Sequence, residues 1–425
     1  MPDYQTLPVD LAETLEKQGG AEIVVGLPSF NNVGTITTVV EVLRRGLSQA
    51  FPDQRALIVN VDCSSTDGTA QQLMALPDIE SARLVQTILP GQNLAMPYHG
   101  IPGKSDGLRL TLLAARQVGA RACLMFSPDL TSAAPEWFGL LCRPVLEEGF
   151  DYVVPLYAHH KFDGSITNAI GRPLLRSLYG RHMRQPMGGE YVLSSALVEH
   201  YLGQRVWGTD LDRYGSDIWT TTQALSGSFK LGQVNVGEKV QVQAGTPTDL
   251  GTTLNQVLSS LFEDMARNAS VWQRVRGAQP IPIFGAPAAS VDSTVTFDLH
   301  RLTESFRLGL RNLQDLWGLV LAPATLLDLR RIAVAPDEAF TIPDTLWCRV
   351  VFDFALGYRI RTINRSHLLG SFLPLYLGWL ASYVREMQTA TNAESEQRLE
   401  RLCQAYEAQK SYLISRWRSP DRFNP

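Results

Sequence analysis

The sequence predicts an α/β protein: a mostly parallel sheet covered by helices, followed by an all-helical C-terminal domain. Short β-branched runs alternate with amphipathic helical segments through residue 160, the pattern of strand–helix–strand crossovers. The character changes after about residue 250. From Asp298 to Trp417 nearly every segment has helical period, as in helical bundles. The expected division is therefore 1–250 and 251–425, with the Pro- and Gly-rich Gly277–Ala288 as a linker.

In order, Met1–Gly20 reads as a helical lead-in. Ala21–Leu27 is a compact apolar run that stops at Pro28, a buried strand. Thr35–Ala50 sets Ile36, Val39, Val40, Leu43 and Leu47 on one helical face. Arg55–Val61 and Arg83–Ile88 are strands on either side of a helix at Asp67–Met74, with Thr66 or Asp67 as its cap. Gly107–Val118 is helical, Ala122–Phe126 a fourth strand and Tyr152–Leu156 another. Later helices are expected at Ile218–Leu225, Thr252–Val275, Leu302–Leu319, Leu326–Ile332, Thr345–Thr362, Ser366–Gln388 and Glu394–Trp417.

The 425 residues are 45% hydrophobic and 19% charged, ordinary for a soluble globular protein. A net charge of −4 argues against nucleic acid as the main partner. Five scattered cysteines form no Cys-x-x-Cys pair, against zinc and against a disulfide framework. The start, Met-Pro-Asp-Tyr-Gln, has neither the basic nor the apolar stretch of a secretory signal, so a cytoplasmic location is expected. Leu368–Val384 is apolar but interrupted by Gly370, Pro374 and Gly378, and short of the about 20 residues of a membrane span. It reads as a buried helix or one at a subunit interface.

In parallel sheets ligands bind at the carboxyl ends of the strands, and polar motifs fall there. Asp62-Cys63-Ser64-Ser65-Thr66-Asp67-Gly68-Thr69 either offers Asp62 to a nucleobase or ribose, or is a capped helix start. Gly103-Lys104-Ser105-Asp106-Gly107 puts Lys104 at a helix start, which suits a diphosphate or leaves a solvated lysine. In Ser127-Pro128-Asp129, Asp129 either holds a divalent cation or caps a helix. Gln185-Pro186-Met187-Gly188-Gly189-Glu190 is the most informative stretch. Gly188 and Gly189 let backbone approach a ligand closely, and Glu190 can grip hydroxyls. Asp217 is a helix cap or a carboxylate near a sugar, with equal weight. Neighbouring side chains in extended backbone face opposite ways, so at most one of His159 and His160 faces a site. Serine-hydrolase, P-loop and dinucleotide spacings are absent.

Taken in order, these pieces resemble retaining glycosyltransferases of the mannosylglycerate synthase and glucosyl-3-phosphoglycerate synthase type. Leu27-Pro28-Ser29-Phe30-Asn31-Asn32 resembles the nucleotide-binding first loop of that family, implying roles for Pro28, Phe30 and Asn32. Gly103–Gly107 resembles its Gly-Lys-Gly-Asp-Gly stretch, and Gln185–Glu190 its Gln-Pro-Leu-Gly-Gly-Glu. The resemblance implies a Rossmann-like glycosyltransferase A fold and transfer of a hexose from a UDP- or GDP-sugar to a small acidic acceptor such as D-glycerate or 3-phosphoglycerate. It implies Asp217 as a sugar-facing carboxylate and Thr167 as an acceptor contact; Glu190 is expected to hold sugar hydroxyls and His159 to be a further acceptor contact. It also implies a divalent cation, Mg or Mn. The chain departs twice. Ser127 stands where the family's metal motif has its first Asp. Gln241, within Gly237-Glu238-Lys239-Val240-Gln241, stands where the family has His, so either the cation is held by Asp129, Gln241 and the diphosphate, or metal use has changed, or activity is reduced. The helical tail makes a homodimer the expected assembly.

Overall fold

The apolar runs become strands because burial on both faces rewards Val, Ile and Leu at every position. The computed structural model describes residues 5–90, 97, 99–208, 210–242, 249–287, 291 and 296–420, with only the backbone described over 210–214. The strands are β1 Ile23–Ser29, β2 Ala56–Asp62, β3 Ala82–Ile88, β4 Ala122–Met125, β5 Tyr152–Ala158, β6 Arg181–His182, β7 Tyr191–Ser194, β8 Leu231–Glu238, β9 Gln279–Pro280 and β10 Ile283–Phe284. Eight of them form one sheet in the order β10-β8-β5-β7-β4-β1-β2-β3. Only β7 runs antiparallel to its neighbours in this sheet. The expected mostly parallel sheet with a helical C-terminal region is therefore the fold.

The described residues group into two units: 1–158 with 187–249 and 281–289, and 159–186 with 250–280 and 290–425. In the first, the sheet and the helices Ile36–Ala50 and Pro135–Glu148 enclose a core that includes Val39, Leu43, Leu47, Phe138, Leu141 and Val153. Helix Lys104–Gln117 packs on β1, where Gly26 has no room for a side chain beside Thr111.

Strand β1 runs through Pro28 instead of stopping before it. β4 reaches only to Met125, level with Gly26. Past that point β1 pairs with β2 alone, and the missing N–H of a proline is tolerated at such an unpaired edge. Residues 277–287 of the expected linker are not free chain. Within the second unit Gln279–Pro280 pairs with β6, and within the first Ile283–Phe284 extends the sheet beside β8. Ala288 lies outside the described residues.

The second unit is helical and cored by aromatic rings, with Trp347 stacked on Trp379 at 5.8 Å between centroids. The apolar run at 368–384 forms parts of two helices, Arg365–Gly370 and Leu373–Met387. They break before Pro374, and Leu368, Leu375, Tyr376, Trp379 and Ala381 are buried. Among the described residues no helix is long and apolar enough to cross a membrane. Bidentate Arg172–Glu396 and the pairs of Arg176 with Glu400 and Glu407 tie helix Arg172–Tyr179 to helix Asn392–Ala408. The segment 159–171 is held in the same way: Tyr376 donates to Ser165 Oγ at 2.6 Å, and Tyr383 to the Lys161 carbonyl at 2.9 Å.

The two helices on the core face meet at Gly46. A Cβ there would lie 2.9 Å from Pro135 Cα, and nearer still to the Pro135 carbonyl and the Phe138 ring. Gly46→Ala gains about 1 kcal/mol of helix propensity but meets an overpacking cost of up to about 3 kcal/mol. A net loss of about 2 kcal/mol is expected in urea unfolding, against a gain if the helices part freely.

Candidate active site

Strands β1, β2, β4 and β8 all end at one rim of the sheet. β7, running the other way, begins there. Tyr191 pairs with Met125, so the Gly188–Glu190 segment enters the rim beside Phe126 and Ser127. This is also where the strand order reverses about β1 and β4, the usual ligand crevice of an open α/β sheet.

The first wall is built from the ends of β1 and β2. Asp62 is fully buried. Its Oδ1 accepts from the Ser65 N–H at 2.8 Å, and its Oδ2 from the Ser65 and Ser29 hydroxyls at 2.7 and 3.1 Å. Asn32 accepts from the Phe30 N–H at 2.8 Å, and its own N–H donates to Thr69 Oγ1. Asn31 and Ser64 sit at φ of 53° and 66°, a left-handed strain that small polar residues tolerate best. Asp62 and Asn32 thus shape the loop from within, while Pro28 and half-buried Phe30 lie along it. Asp67 accepts from the Thr69 N–H and hydroxyl, but the cap position of helix Thr69–Met74 is Gly68, at φ 96°, and not Thr66 or Asp67.

The second wall is a buried ion pair. Gly103, at φ 75°, turns the chain into helix Lys104–Gln117, which begins earlier than the apolar spacing predicts. Lys104 Nζ donates to Asp217 Oδ2 at 2.8 Å, with side chains only 9% and 4% exposed. Asp217 lies inside helix Asp210–Ser226, just past a kink at Gly215, and not at a helix cap; Tyr214's side chain lies outside the described residues. Burial alone would raise the Asp217 carboxyl. The Lys104 ammonium, with Lys239 beyond it, outweighs burial and holds the group below the usual carboxylate range. Its Oδ1 is buried with no partner among the described residues, an acceptor waiting for a donor. Gly189 lies over this pair: at φ 87°, its missing Cβ would stand 3.6 Å from Lys104 Nζ and 3.8 Å from Asp217 Oδ2. His99 faces the same pair. Burial, then Lys104, lowers its imidazole to about 3, so the ring is neutral at physiological pH.

Glu190 forms the third element. Its side chain is wholly enclosed. Oε1 accepts a short hydrogen bond from Ser127 Oγ, and Oε2 accepts from Tyr157 at 2.9 Å and from Lys239 Nζ at 2.9 Å. Lys239 also donates to the Gly188 carbonyl at 2.6 Å and lies 4.9 Å from the Tyr157 ring centre. Burial and the Glu190 carboxylate keep the Tyr157 phenol protonated, well above its usual range. Gly188 and Glu190 are thereby fixed to the end of β8.

Asp129 and Gln241 meet: Gln241 Nε2 donates to Asp129 Oδ1 at 3.1 Å, beside a bridge between Leu130 and Gln241. Burial raises the Asp129 carboxyl, and Glu190 adds to the rise against Gln241 and Lys239. The pair does not fit a divalent cation. Gln241 presents its N–H side, Ser127 is engaged with Glu190, and an ammonium already stands beside the carboxylates. Among the described residues no group of three His, Cys, Asp or Glu side chains gathers for a metal.

Lys104, Asp129, Gly188, Gly189, Glu190, Asp217 and Gln241 are thus linked by direct contacts and shared neighbours in the first unit. His159 and Thr167 belong to the second unit. There His159 Nδ1 lies 3.0 Å from the His160 carbonyl, and Thr167 opens the π-helical turn Thr167–Gly171. Sequence reasoning missed Lys239, Tyr157 and His99. Lys239 had a signal: two residues from Gln241 at a strand end, it shares a face with it. Tyr157, one aromatic in an apolar strand, had none.

No family model and no curated protein matches the chain. Solved structures do. A glucosyl-3-phosphoglycerate synthase from Mycobacterium tuberculosis, in complex with Mn2+, UDP and phosphoglyceric acid, is 22% identical at a TM-score of 0.41, over 61% of this chain and 83% of that one. The same enzyme with Mn2+, UDP and glucosyl-3-phosphoglycerate is 21% identical at a TM-score of 0.40, over 68% and 95%. With Mg2+ and UDP the figures are 20% and 0.40, over 68% and 94%. These figures assign no function to this chain.

Removing one partner of a buried ion pair leaves an uncompensated charge, a loss of about 3–5 kcal/mol. Lys104→Met is expected to lose that much in urea unfolding. Adding Asp217→Asn to it should recover most of the loss. A purely additive double variant would contradict the pairing.

Proposed function

We propose that the chain is a hexosyltransferase that moves a sugar from a UDP- or GDP-sugar to a small carboxylate-bearing alcohol such as D-glycerate or 3-phosphoglycerate. The convergence of Lys104, Asp217 and the Gly188–Glu190 turn at the switch point of the sheet carries this assignment. The mostly parallel sheet supports it, being what the Rossmann-like glycosyltransferase A fold implied by the sequence motifs leads one to expect.

In the proposed step the acceptor hydroxyl oxygen bonds to the anomeric carbon. The bond from that carbon to the diphosphate oxygen breaks, and its electron pair leaves with the diphosphate. The hydroxyl proton passes to the departing phosphate oxygen on the same face, so configuration is retained. Lys104 stabilises the growing charge on the leaving group. The unpartnered Oδ1 of Asp217 accepts from sugar hydroxyls and fixes the donor's orientation. Glu190, with both oxygens engaged, positions Lys239 and the Gly188–Gly189 turn. The loop Pro28–Asn32, shaped from within by Asp62, takes the nucleoside. Thr167 is proposed as an acceptor contact on the strength of the sequence resemblance, and His159 as a further one. Some of the solved synthase structures are in complex with Mn2+ or Mg2+, and another is in complex with UDP alone. No step here is routed through a metal, because the donor set does not fit one.

The incomplete metal set also favours a second reading, a nucleotide-sugar-binding protein on the same scaffold. Turnover separates the two. UDP-glucose and GDP-mannose are each incubated with the full chain, with and without D-glycerate or 3-phosphoglycerate. Acceptor-dependent release of UDP or GDP is expected, with Asp217→Asn lowering kcat/KM by about 100-fold. Binding without release would favour the second reading. Neither binding nor release with any donor would reject both.

A further inference from the structure

We propose that Lys239 is the site's own cation for the donor diphosphate, and that nucleotide binding needs no divalent metal. This rests on the glycosyltransferase reading above and deepens it. An ammonium has three N–H donors. Lys239 uses one on Glu190 Oε2 and one on the Gly188 carbonyl, which leaves a third without a partner among the described residues. Its side chain is 23% exposed while Glu190 is fully enclosed, so the free donor is on the side a ligand can reach. The lysine is also rigid: Tyr157 lies beneath it and shares the same carboxylate oxygen. A preorganised ammonium stabilises charge developing on a phosphate without reorganising at the moment of reaction.

The residues that would hold a metal are occupied otherwise. Ser127 donates its proton to Glu190, and Asp129 accepts from the Gln241 amide. Lys239 links the two groups, bonded to Glu190 and close enough to Asp129 to act on its charge. One point charge just past β8 thus stands in the place where the sequence departs from a metal motif at both Ser127 and Gln241.

The test is calorimetric titration of the full chain with UDP, and separately with GDP, in excess EDTA and in Mg2+. Wild type is compared with Lys239→Met and Lys239→Arg. The nucleotide that binds is expected to do so with a Kd that agrees within about threefold between the two buffers. Lys239→Met should weaken it by about tenfold or more in both, as expected for a lost charged hydrogen bond, while Lys239→Arg keeps most of the affinity. Wild-type binding that is lost in EDTA and restored by Mg2+ overturns the inference and leaves the glycosyltransferase reading standing; Gln241 has then turned its oxygen to a cation. Unchanged affinity in Lys239→Met overturns it too. Failure of both nucleotides to bind in either buffer removes the reading itself. Should Lys239→Met unfold, the EDTA comparison on wild type still decides.

Discussion

The structure of the site depends on one interaction, the ion pair of Lys104 and Asp217 buried beneath Gly189. Burying two charges costs about as much as their attraction returns, so such a pair is weak as a source of stability. An apolar pair in the same space would serve the fold as well. What it does instead is fix a cation at a helix start and leave one carboxylate oxygen, Asp217 Oδ1, buried and unbonded among the described residues. A native chain retains an unsatisfied buried acceptor at a cost, and a ligand hydroxyl would repay it. Gly189 is part of the same constraint, because any side chain there would fill the space over both charges.

The antiparallel strand β7 makes this arrangement reachable. Parallel strands bring only their carboxyl ends to the rim. By running backward between β4 and β5, β7 brings an amino end there as well, and with it Glu190. The two ends are then joined across the rim by Lys239, which bonds Glu190 from the end of β8. Backbone direction, more than any single side chain, places three carboxylates and two ammoniums around one crevice.

Much of this was legible in the sequence. Alternation of apolar runs with helical spacing revealed the parallel sheet, and the face of Ile36, Val39, Val40, Leu43 and Leu47 is buried as its period demands. Lys104, Asp129, Glu190 and Asp217 stood out because Gly, Pro and Asp interrupt apolar runs where turns must be. Less was legible where tertiary contact overrides local signals. Pro28 looked like a strand terminus, but the missing neighbour lies about a hundred residues away at Met125. Ile283–Phe284 looked like linker, and became strand only by pairing with β8. The role of Glu190 changed most: a residue expected to grip a ligand is enclosed by Ser127, Tyr157 and Lys239, partners from three other segments that no local pattern announces.

The central claim is that these side chains surround a site for an activated sugar. A crystal structure of the full chain soaked with UDP or GDP tests it most directly. The account predicts diphosphate oxygens within about 2.7–3.2 Å of Lys104 or Lys239 Nζ, with the nucleoside along Pro28–Asn32. A nucleotide bound elsewhere, with the Lys104–Asp217 pair and the Gly188–Gly189 turn untouched, would contradict it.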